Sequence, residues 1–150
     1  MIVLRPLRED EYAAWDTAHR AEYERGLVEH VGMPRERAEA KVVRDVGHVL
    51  PDGLATEGTW IWVVEDGGRV VGTVFVGLRD GGAWLYDITI AVAERGKGCG
   101  RAAMTALEAE VRALGHDTIG LNVWGGNEVA RGLYRSLGWV EESVHMRKKL

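Results

Sequence analysis

Three glycines at alternate positions and three cationic side chains crowd one short stretch of this sequence. The glycines are Gly96, Gly98 and Gly100, and the cations are Arg95, Lys97 and Arg101. Because glycine has no Cβ, the backbone there can approach a ligand and turn successive N–H groups toward one point. A helix-like stretch follows over residues 101–114, and its first turn adds free N–H groups and the positive end of its dipole. The pattern predicts a loop that binds an anion, most often a phosphate.

One face of a later predicted helix, over residues 127–137, carries an amide, a guanidinium and a phenol. Asn127 and Tyr134 are seven residues apart with Arg131 between them, so all three return to one face of a helix with 3.6 residues per turn. Such side chains can hold a polar ligand and donate a proton. They also fit an N-terminal cap followed by a tyrosine packed half-buried on a sheet. Spacing alone leaves both interpretations open.

Hydrophobic periodicity predicts the elements that must position these two sets of residues. Strands are predicted over residues 2–5, 60–65, 69–78, 83–92, 118–123 and 139–149. Helices are predicted over residues 8–31, 34–49, 101–114 and 127–137. The order is β-α-α-β-β-β-α-β-α-β. It describes an α+β chain with an antiparallel meander and one βαβ crossover over residues 83–123.

The composition bounds the class of protein. At 150 residues, with 46% hydrophobic and 28% charged side chains, the chain fits one globular domain over residues 1–150. A net charge of −4 gives no reason to expect nucleic-acid binding, and no apolar run is long enough for a membrane span. The single cysteine excludes an internal disulfide and fits a reducing cytoplasm. No cluster of His, Cys and Asp has metal-ligand spacing, so we expect no metal site.

Taken together, the two sets of residues resemble the signatures of the GNAT N-acetyltransferase superfamily. The central signature corresponds to Arg95, Gly98 and Gly100. The later signature corresponds to Asn127, Ala130, Tyr134, Gly138 and Trp139. The resemblance is close over about residues 60–140. Two mild departures are Cys99, where an aliphatic residue is more usual, and Trp139, where Phe or Tyr is common. The resemblance implies a mixed, mostly antiparallel central sheet flanked by helices, with a splayed parallel strand pair that holds the cofactor.

The same resemblance implies a ligand and a reaction. Members of the family bind acetyl-CoA and pass its acetyl group to an amine by direct attack in a ternary complex. Loop N–H groups would hold the pyrophosphate, strand backbone would pair with the pantetheine arm, and Asn127 would hydrogen-bond that arm. Tyr134 matches the family's general acid. The implied cofactor-binding residues are Ile88, Ile90, Arg95, Gly96, Lys97, Gly98, Gly100, Arg101, Asn127 and Arg131.

The general base is less constrained by the sequence. Asp87 is the only carboxylate on the strand before the loop, where family members commonly carry their base. A structural carboxylate that pairs with a helix cation or cap is the competing interpretation. Glu57, Glu65 and a path through water alone are further alternatives for the base.

Alternation along that strand predicts which layer the carboxylate faces. Side chains of a strand alternate between the two faces of the sheet, so Asp87 is expected on the face of Leu85 and Thr89. Tyr86 and Ile88 are then expected together on the opposite face. If the face of Ile88 is core, Asp87 points toward the other layer, where helices and the acceptor site are expected.

The two N-terminal helices form the acceptor wall in this family. In this chain they carry Trp15, His19, Glu22, Tyr23 and Glu29. Carboxylates there can attract a cationic amine and aromatic rings can stack on it, although an ordinary solvated helix face has the same composition. We expect a primary amine on a small molecule as the acceptor, with a protein amine as the alternative. A homodimer is possible, because dimers are frequent in the family.

Two other functional classes compete with the enzyme. A dinucleotide-binding oxidoreductase is disfavoured, because the glycines are spaced G-x-G-x-G and not G-x-G-x-x-G and because a meander precedes the loop. A non-catalytic acyl-CoA-binding module remains open. The presence of both Tyr134 and Asn127 argues against it, since a module that only binds has no need of a general acid.

Overall fold

A computed structural model describes all 150 residues. The strands are β1 (Ile2–Pro6), β2 (Trp60–Asp66), β3 (Arg69–Arg79), β4 (Gly82–Ile90) and β5 (Ile119–Leu121). The α-helices are α1 (Glu9–Val31), α2 (Arg35–Val49), α3 (Cys99–Ala113) and α4 (Glu128–Ser136). Short 3-10 turns cover Gly53–Ala55 and Val92–Glu94. The predicted order is confirmed through the last helix.

The predicted final strand over residues 139–149 is wrong. Residues from Trp139 onward form no helix or strand, and most of them are exposed. Their β-like composition is a local property, whereas a strand exists only where a neighbouring strand accepts its hydrogen bonds. No strand of the chain pairs with this stretch.

One five-stranded sheet runs through the molecule in the order β1-β2-β3-β4-β5. The first three pairings are antiparallel, and the β4–β5 pairing is parallel. The parallel pairing is short: only Ala83, Trp84 and Leu85 lie opposite residues of β5. The mixed sheet with one parallel pair confirms the predicted fold class.

The two faces of the sheet are covered by different helices. One core holds α3 residues such as Met104 and Leu107 against Val74 and Leu85 of the sheet. The other core holds residues of α1 and α2 against Phe75 and neighbouring strand residues. No helix is both long and apolar enough to cross a bilayer. The three layers place α1 and α3 on opposite sides of β4.

A β-bulge in β4 breaks the alternation expected from the sequence. Asp87 lies opposite Phe75 and Leu85 lies opposite Val76, so Tyr86 is an extra residue without a partner in β3. Its ring stacks on Phe75, with ring centroids 5.0 Å apart, in the core beneath α1.

Because of the bulge, the side chains of β4 are distributed over the two faces of the sheet differently from the expectation. Leu85 and Ile88 both pack into the core beneath α3, although strict alternation separates them. Tyr86 lies in the opposite core, so the expectation that it shares a face with Ile88 is wrong. Asp87 comes within 4.0 Å of His19 of α1. The expectation that Asp87 faces the helical layer opposite Ile88 is confirmed. The expectation that Asp87 shares a face with Leu85 is wrong, because the bulge leaves Leu85 in the core beneath α3.

Glycine at position 72 allows β3 and β4 to approach closely. A Cβ on Gly72 would lie 2.2 Å from the carbonyl oxygen of Thr89, a backbone atom held by the sheet. We expect Gly72→Ala to lower the free energy of unfolding by about 2 kcal/mol or more, because the strands must separate to admit the methyl group. Urea denaturation measures the change.

Gly47→Ala serves as the control for Gly72→Ala. Gly47 lies in α2 with no atom within 4 Å of the added Cβ. Alanine there should stabilise the protein by about 0.5–1 kcal/mol, because it has the higher helix propensity. Equal effects of the two substitutions would show that close contact at Gly72 is not the cause.

Candidate active site

The glycine loop presents a row of backbone donors that have no acceptor in the chain. Gly96 and Gly98 adopt left-handed backbone conformations, with φ of 73° and 84°. None of the N–H groups of residues 96–101 donates to a backbone carbonyl. The left-handed residues turn these donors toward one side, and the first turn of α3 adds the positive end of its dipole. This backbone is a binding site for an anion such as a phosphate.

The cationic side chains of the loop give it positive charge and also hold it in place through hydrogen bonds and ion pairs. Arg95 donates from Nε to the carbonyl of Ile90 at 3.0 Å, which ties the loop to the end of β4. Lys97 Nζ lies 3.3 Å from the carboxylate of Glu94, a residue that is 8% exposed. Arg69 of β3 binds the same carboxylate at 3.1 Å. These contacts hold the loop against the sheet while its N–H groups stay free.

Arg101 has a different partner. Its guanidinium donates to the hydroxyl of Ser136 at 2.8 Å, and Ser136 is the last residue of α4. The loop is therefore linked to α4, the helix that carries the second set of predicted site residues.

One edge of β4 is open beyond its short pairing with β5. The parallel ladder ends at Leu85, which leaves Tyr86–Ile90 without a neighbour on that side. Ala91 donates its N–H to the carbonyl of Val71 on the β3 side. Because backbone groups alternate in direction along a strand, those of Ile88 and Ile90 point toward the open side. An extended ligand can add to this edge as an extra strand does.

The helix α4 begins with the predicted cap. Asn127 Oδ1 accepts the N–H of Ala130 at 3.2 Å, which confirms the structural interpretation of this asparagine. The amide nitrogen of Asn127 donates to no group of the protein and so is available to a ligand. Cofactor binding by Asn127 stays a prediction.

Tyr134 is half-buried where α4 meets the sheet. It packs on the core beneath α3, and its ring lies 5.8 Å from that of Trp139. Burial, and then the charge of Asp87, raise the pKa of its phenol above the ordinary value. Tyr134 thus holds its proton firmly at neutral pH and lies within electrostatic reach of Asp87.

Asp87 is a half-buried carboxylate with one hydrogen bond. Thr89 donates its hydroxyl to Asp87 Oδ2 at 3.0 Å. Burial raises the pKa of Asp87 to about 6, the hydrogen bond from Thr89 lowers it, and the negative charge of Glu22 raises it. At pH 7 most molecules therefore carry an ionised Asp87 that is more basic than an ordinary aspartate.

His19 lies beside Asp87 without neutralising it. Its ring stacks on Trp15, with centroids 4.8 Å apart, and Nδ1 is 4.0 Å from Asp87 Oδ2, too long for a hydrogen bond. Burial lowers the pKa of His19 to about 4, so the ring is neutral at pH 7. The sequence did not indicate that His19 lies beside Asp87 or that Thr89 donates to it. For Thr89 a signal exists, because residues two apart on a strand lie on the same face.

The remaining residues that were predicted for the acceptor wall mostly make structural contacts. Tyr23 donates to Asp45 of α2 at 2.6 Å, and Glu22 and Glu29 both pair with Arg25. The hydrogen bond from Arg25, and to a smaller extent the charge of Arg95, lower the pKa of the Glu22 carboxyl. Trp15 is buried at 7% exposure.

Arg131 is engaged at the start of α4. Its guanidinium donates to the carbonyl of Gly125 at 2.6 Å and pairs with Glu128 and Glu141. Cofactor binding by Arg131 stays a prediction.

Residues 12–139 match the acetyltransferase (GNAT) family. The chain belongs to this family. It is therefore an acyltransferase of the N-acetyltransferase type, and the resemblance of its two signatures to the GNAT pattern is confirmed. The open edge of β4, the loop of free N–H groups and α4 with Tyr134 are the features that this GNAT places around one gap in the sheet.

Relatives of this GNAT match it over two thirds or more of its length. The uncharacterized N-acetyltransferase YycN of Bacillus subtilis is 28% identical over 154 residues, 99% of each chain. The crystal structure of YycN superposes with a TM-score of 0.93 and covers 100% of this chain and 99% of the other. A second B. subtilis relative, the uncharacterized N-acetyltransferase YdgE, is 28% identical over 108 residues, 69% of each chain. A Clostridium acetobutylicum acetyltransferase solved with acetyl-CoA shares the fold at 16% identity, with a TM-score of 0.66 and coverage of 98% and 96%.

The half-buried carboxylate of Asp87 should reduce stability at neutral pH. The pKa of Asp87 is about 6 in the folded chain against an ordinary 3.8. Ionisation of Asp87 therefore opposes folding, an effect absent below pH 4 and complete above pH 6. We expect Asp87→Asn to raise the free energy of unfolding at pH 7 by up to about 3 kcal/mol, and to change it little near pH 3.5. Urea denaturation at both pH values measures this, and an equal effect at both would contradict it.

Proposed function

We propose that this GNAT transfers the acetyl group of acetyl-CoA to a primary amine of a small molecule. The observation that carries the proposal is the presence of two sets of free backbone donors close together in the chain, one at the open edge at Ile88 and Ile90 and the other at residues 96–101. In acetyl-CoA, an extended polar pantetheine arm is joined to an anionic pyrophosphate. The arm matches the open strand edge and the pyrophosphate matches the loop. Acetyl-CoA supplies the activated acetyl group as a thioester.

The residues of the gap have complementary binding roles under this proposal. The N–H groups of residues 96–101 hold the pyrophosphate, with Lys97 and Arg101 adding positive charge. Backbone groups of Ile88 and Ile90 pair with the arm as a neighbouring strand would. The same strand edge can direct an N–H group near Ile90 at an oxygen that becomes negative during acyl transfer.

Tyr134 is the proposed general acid. A departing thiolate needs a proton, and a phenol whose pKa is raised by burial is fully protonated at neutral pH. No group of the protein accepts a hydrogen bond from its hydroxyl, so the proton is available to a ligand. Its position on α4, beside the gap, supports this role.

Asp87 is the proposed general base. An amine must lose a proton before it attacks, and a carboxylate with a pKa of about 6 is both ionised and moderately basic at pH 7. The alternatives are less suited: Glu65 pairs with Arg5 at 2.8 Å, and Glu57 lies exposed in a turn. Thr89 orients the carboxylate by its hydrogen bond.

The charge of Asp87 favours a cationic acceptor. Glu22 lies close enough to raise the pKa of Asp87, although its own charge is largely balanced by its pairing with Arg25. His19 is neutral at pH 7 and adds no opposing charge. A protonated amine is therefore attracted to the point where its proton would be removed. A protein amine is the alternative acceptor, and a screen of small amines against basic peptides by thiol release distinguishes the two.

Loss of the backbone cradle should abolish binding of acetyl-CoA. Gly98 has a left-handed φ and open space around its Cβ direction, so valine there strains the loop and fills the path of a ligand. We expect Gly98→Val to weaken acetyl-CoA binding by about 100-fold or more in calorimetric titration. Gly115→Val is the control, since Gly115 has the same left-handed φ and open space at the far end of α3. Affinity within twofold of the wild type for Gly98→Val would refute the loop assignment.

Removal of the phenol should affect turnover more than binding. We expect Tyr134→Phe to leave acetyl-CoA affinity nearly unchanged and to lower kcat by about 10-fold or more, as expected for loss of a general acid. Steady-state kinetics with the best amine of the screen measures the effect. Tyr23→Phe is the matched control, because it removes a phenol that bonds to Asp45 away from the gap. An unchanged kcat for Tyr134→Phe would exclude the acid role.

A further inference from the structure

The indole of Trp124 fills a notch in helix α1. The notch is made by Gly26, a buried residue in the interior of α1, where glycine is less favourable than alanine. A Cβ on Gly26 would lie 2.8 Å from Nε1 of Trp124 and 3.1 Å from its Cε2. Because real Cβ atoms do not approach other atoms so closely, only glycine lets the indole lie against the helix here.

Further contacts fix Trp124 from both sides. His30, one turn beyond Gly26, stacks on the indole with ring centroids 5.5 Å apart and planes 9° from parallel. The carbonyl of Trp124 accepts the N–H of Asn127 at 2.9 Å, and Arg131 donates to the next carbonyl, that of Gly125, at 2.6 Å. The ring is therefore held between the end of α1 and the start of α4.

Helix α1 crosses from one side of the gap between β4 and β5 to the other. His19 lies within 4.0 Å of Asp87 of β4, whereas Gly26 lies against Trp124, three residues beyond the end of β5. Seven residues separate His19 from Gly26, so both lie on one face of α1, about 10 Å apart along its axis. On this face of the sheet, the opening beneath α1 has Asp87 on one side and Trp124 on the other.

The indole of Trp124 is accessible to a ligand in this opening. Trp124 is half-buried, and its N–H donates to no group of the protein. No fully buried side-chain donor of the chain lacks a partner, so this N–H reaches solvent. A large ring that is held in place and partly exposed at the mouth of a gap presents a fixed wall to whatever enters.

We propose that Trp124 is a specificity-determining residue that limits the size of the amine accepted by this GNAT. The inference rests on the proposed acetyl transfer, in which Asp87 takes the proton of the acceptor. An amine that reaches Asp87 from the side of α1 passes the indole. A narrow, unbranched amine fits between the two, whereas a fused ring system meets the indole, which moves aside only by losing its contacts with Gly26 and His30.

A pair of amines of different width tests the size limit. The measurement is kcat/KM for n-butylamine and for naphthylmethylamine with acetyl-CoA, followed by thiol release. We expect Trp124→Ala to raise the ratio of the wide to the narrow amine by about 10-fold, and Trp124→Phe to raise it less. Acetyl-CoA affinity should stay within twofold of the wild type in both variants. A ratio that Trp124→Ala leaves unchanged would overturn the inference, as would loss of acetyl-CoA binding in that variant.

Trp84→Ala is the matched control. Trp84 also lies over a glycine, since a Cβ on Gly120 would be 2.5 Å from its ring. Trp84 belongs to the paired part of β4 and β5, and the guanidinium of Arg79 stacks on it at 4.5 Å. Its replacement removes an equal ring outside the gap, so the ratio should remain that of the wild type. An equal rise of the ratio in both alanine variants would contradict a specific role of Trp124.

Calorimetric titration of the same amines into the protein saturated with CoA gives the ratio without turnover. Failure of the wild type to bind acetyl-CoA would reject the proposed function. Normal acetyl-CoA binding with a size ratio that no substitution of Trp124 changes would reject only the present inference. Normal acetyl-CoA binding with no binding of either amine, to the wild type or to Trp124→Ala, would also overturn it, because the opening would then admit no amine.

A double-mutant cycle tests the position of the indole independently of any acceptor. Gly26→Ala should lower Tm by about 2–4 °C in the wild type, because the methyl group displaces the ring. In Trp124→Ala the same substitution should raise Tm, because the notch is empty and alanine has the higher helix propensity. A rise of Tm in both backgrounds would show that the indole does not occupy the notch.

Discussion

The early end of β5 is the constraint on which the rest of the site depends. A strand within a sheet normally has both edges hydrogen-bonded, yet β4 loses its parallel neighbour after Leu85. The residues that follow keep their bonds to β3 and leave the other edge unpaired. The chain then turns through Gly96 and Gly98 into α3, where further N–H groups have no acceptor. Unpaired backbone groups are unfavourable unless water or a ligand satisfies them, so one feature of strand pairing creates a continuous site.

The bulge at Tyr86 determines the chemistry of that site. The extra residue lets Leu85 and Ile88 remain in one core while Tyr86 and Asp87 face α1. A carboxylate is thereby placed beside His19, with Thr89 as its hydrogen-bond donor. Its burial opposes folding at neutral pH, and it also provides the raised pKa that a base acting near pH 7 needs.

Braces around the gap keep the site in shape without occupying its donors. The buried carboxylate of Glu94 holds Arg69 and Lys97 together, so β3 and the loop are linked through one residue. Arg101 connects the loop to the end of α4. The chain after α4 contacts this helix as well, because Glu141 pairs with Arg131 and Arg135.

The sequence by itself determined the features that are local in the chain. Glycine spacing identified the loop, Asn127 identified the start of α4, and periodicity identified nine elements in order. Tertiary structure alone decided the surroundings of Asp87, because His19 is distant in sequence and the bulge is a property of the β3–β4 register. It also decided that residues 139–149 form no strand within one chain. Helix caps and turns need only their neighbours, whereas burial, pKa values and strand pairing depend on residues that folding brings together.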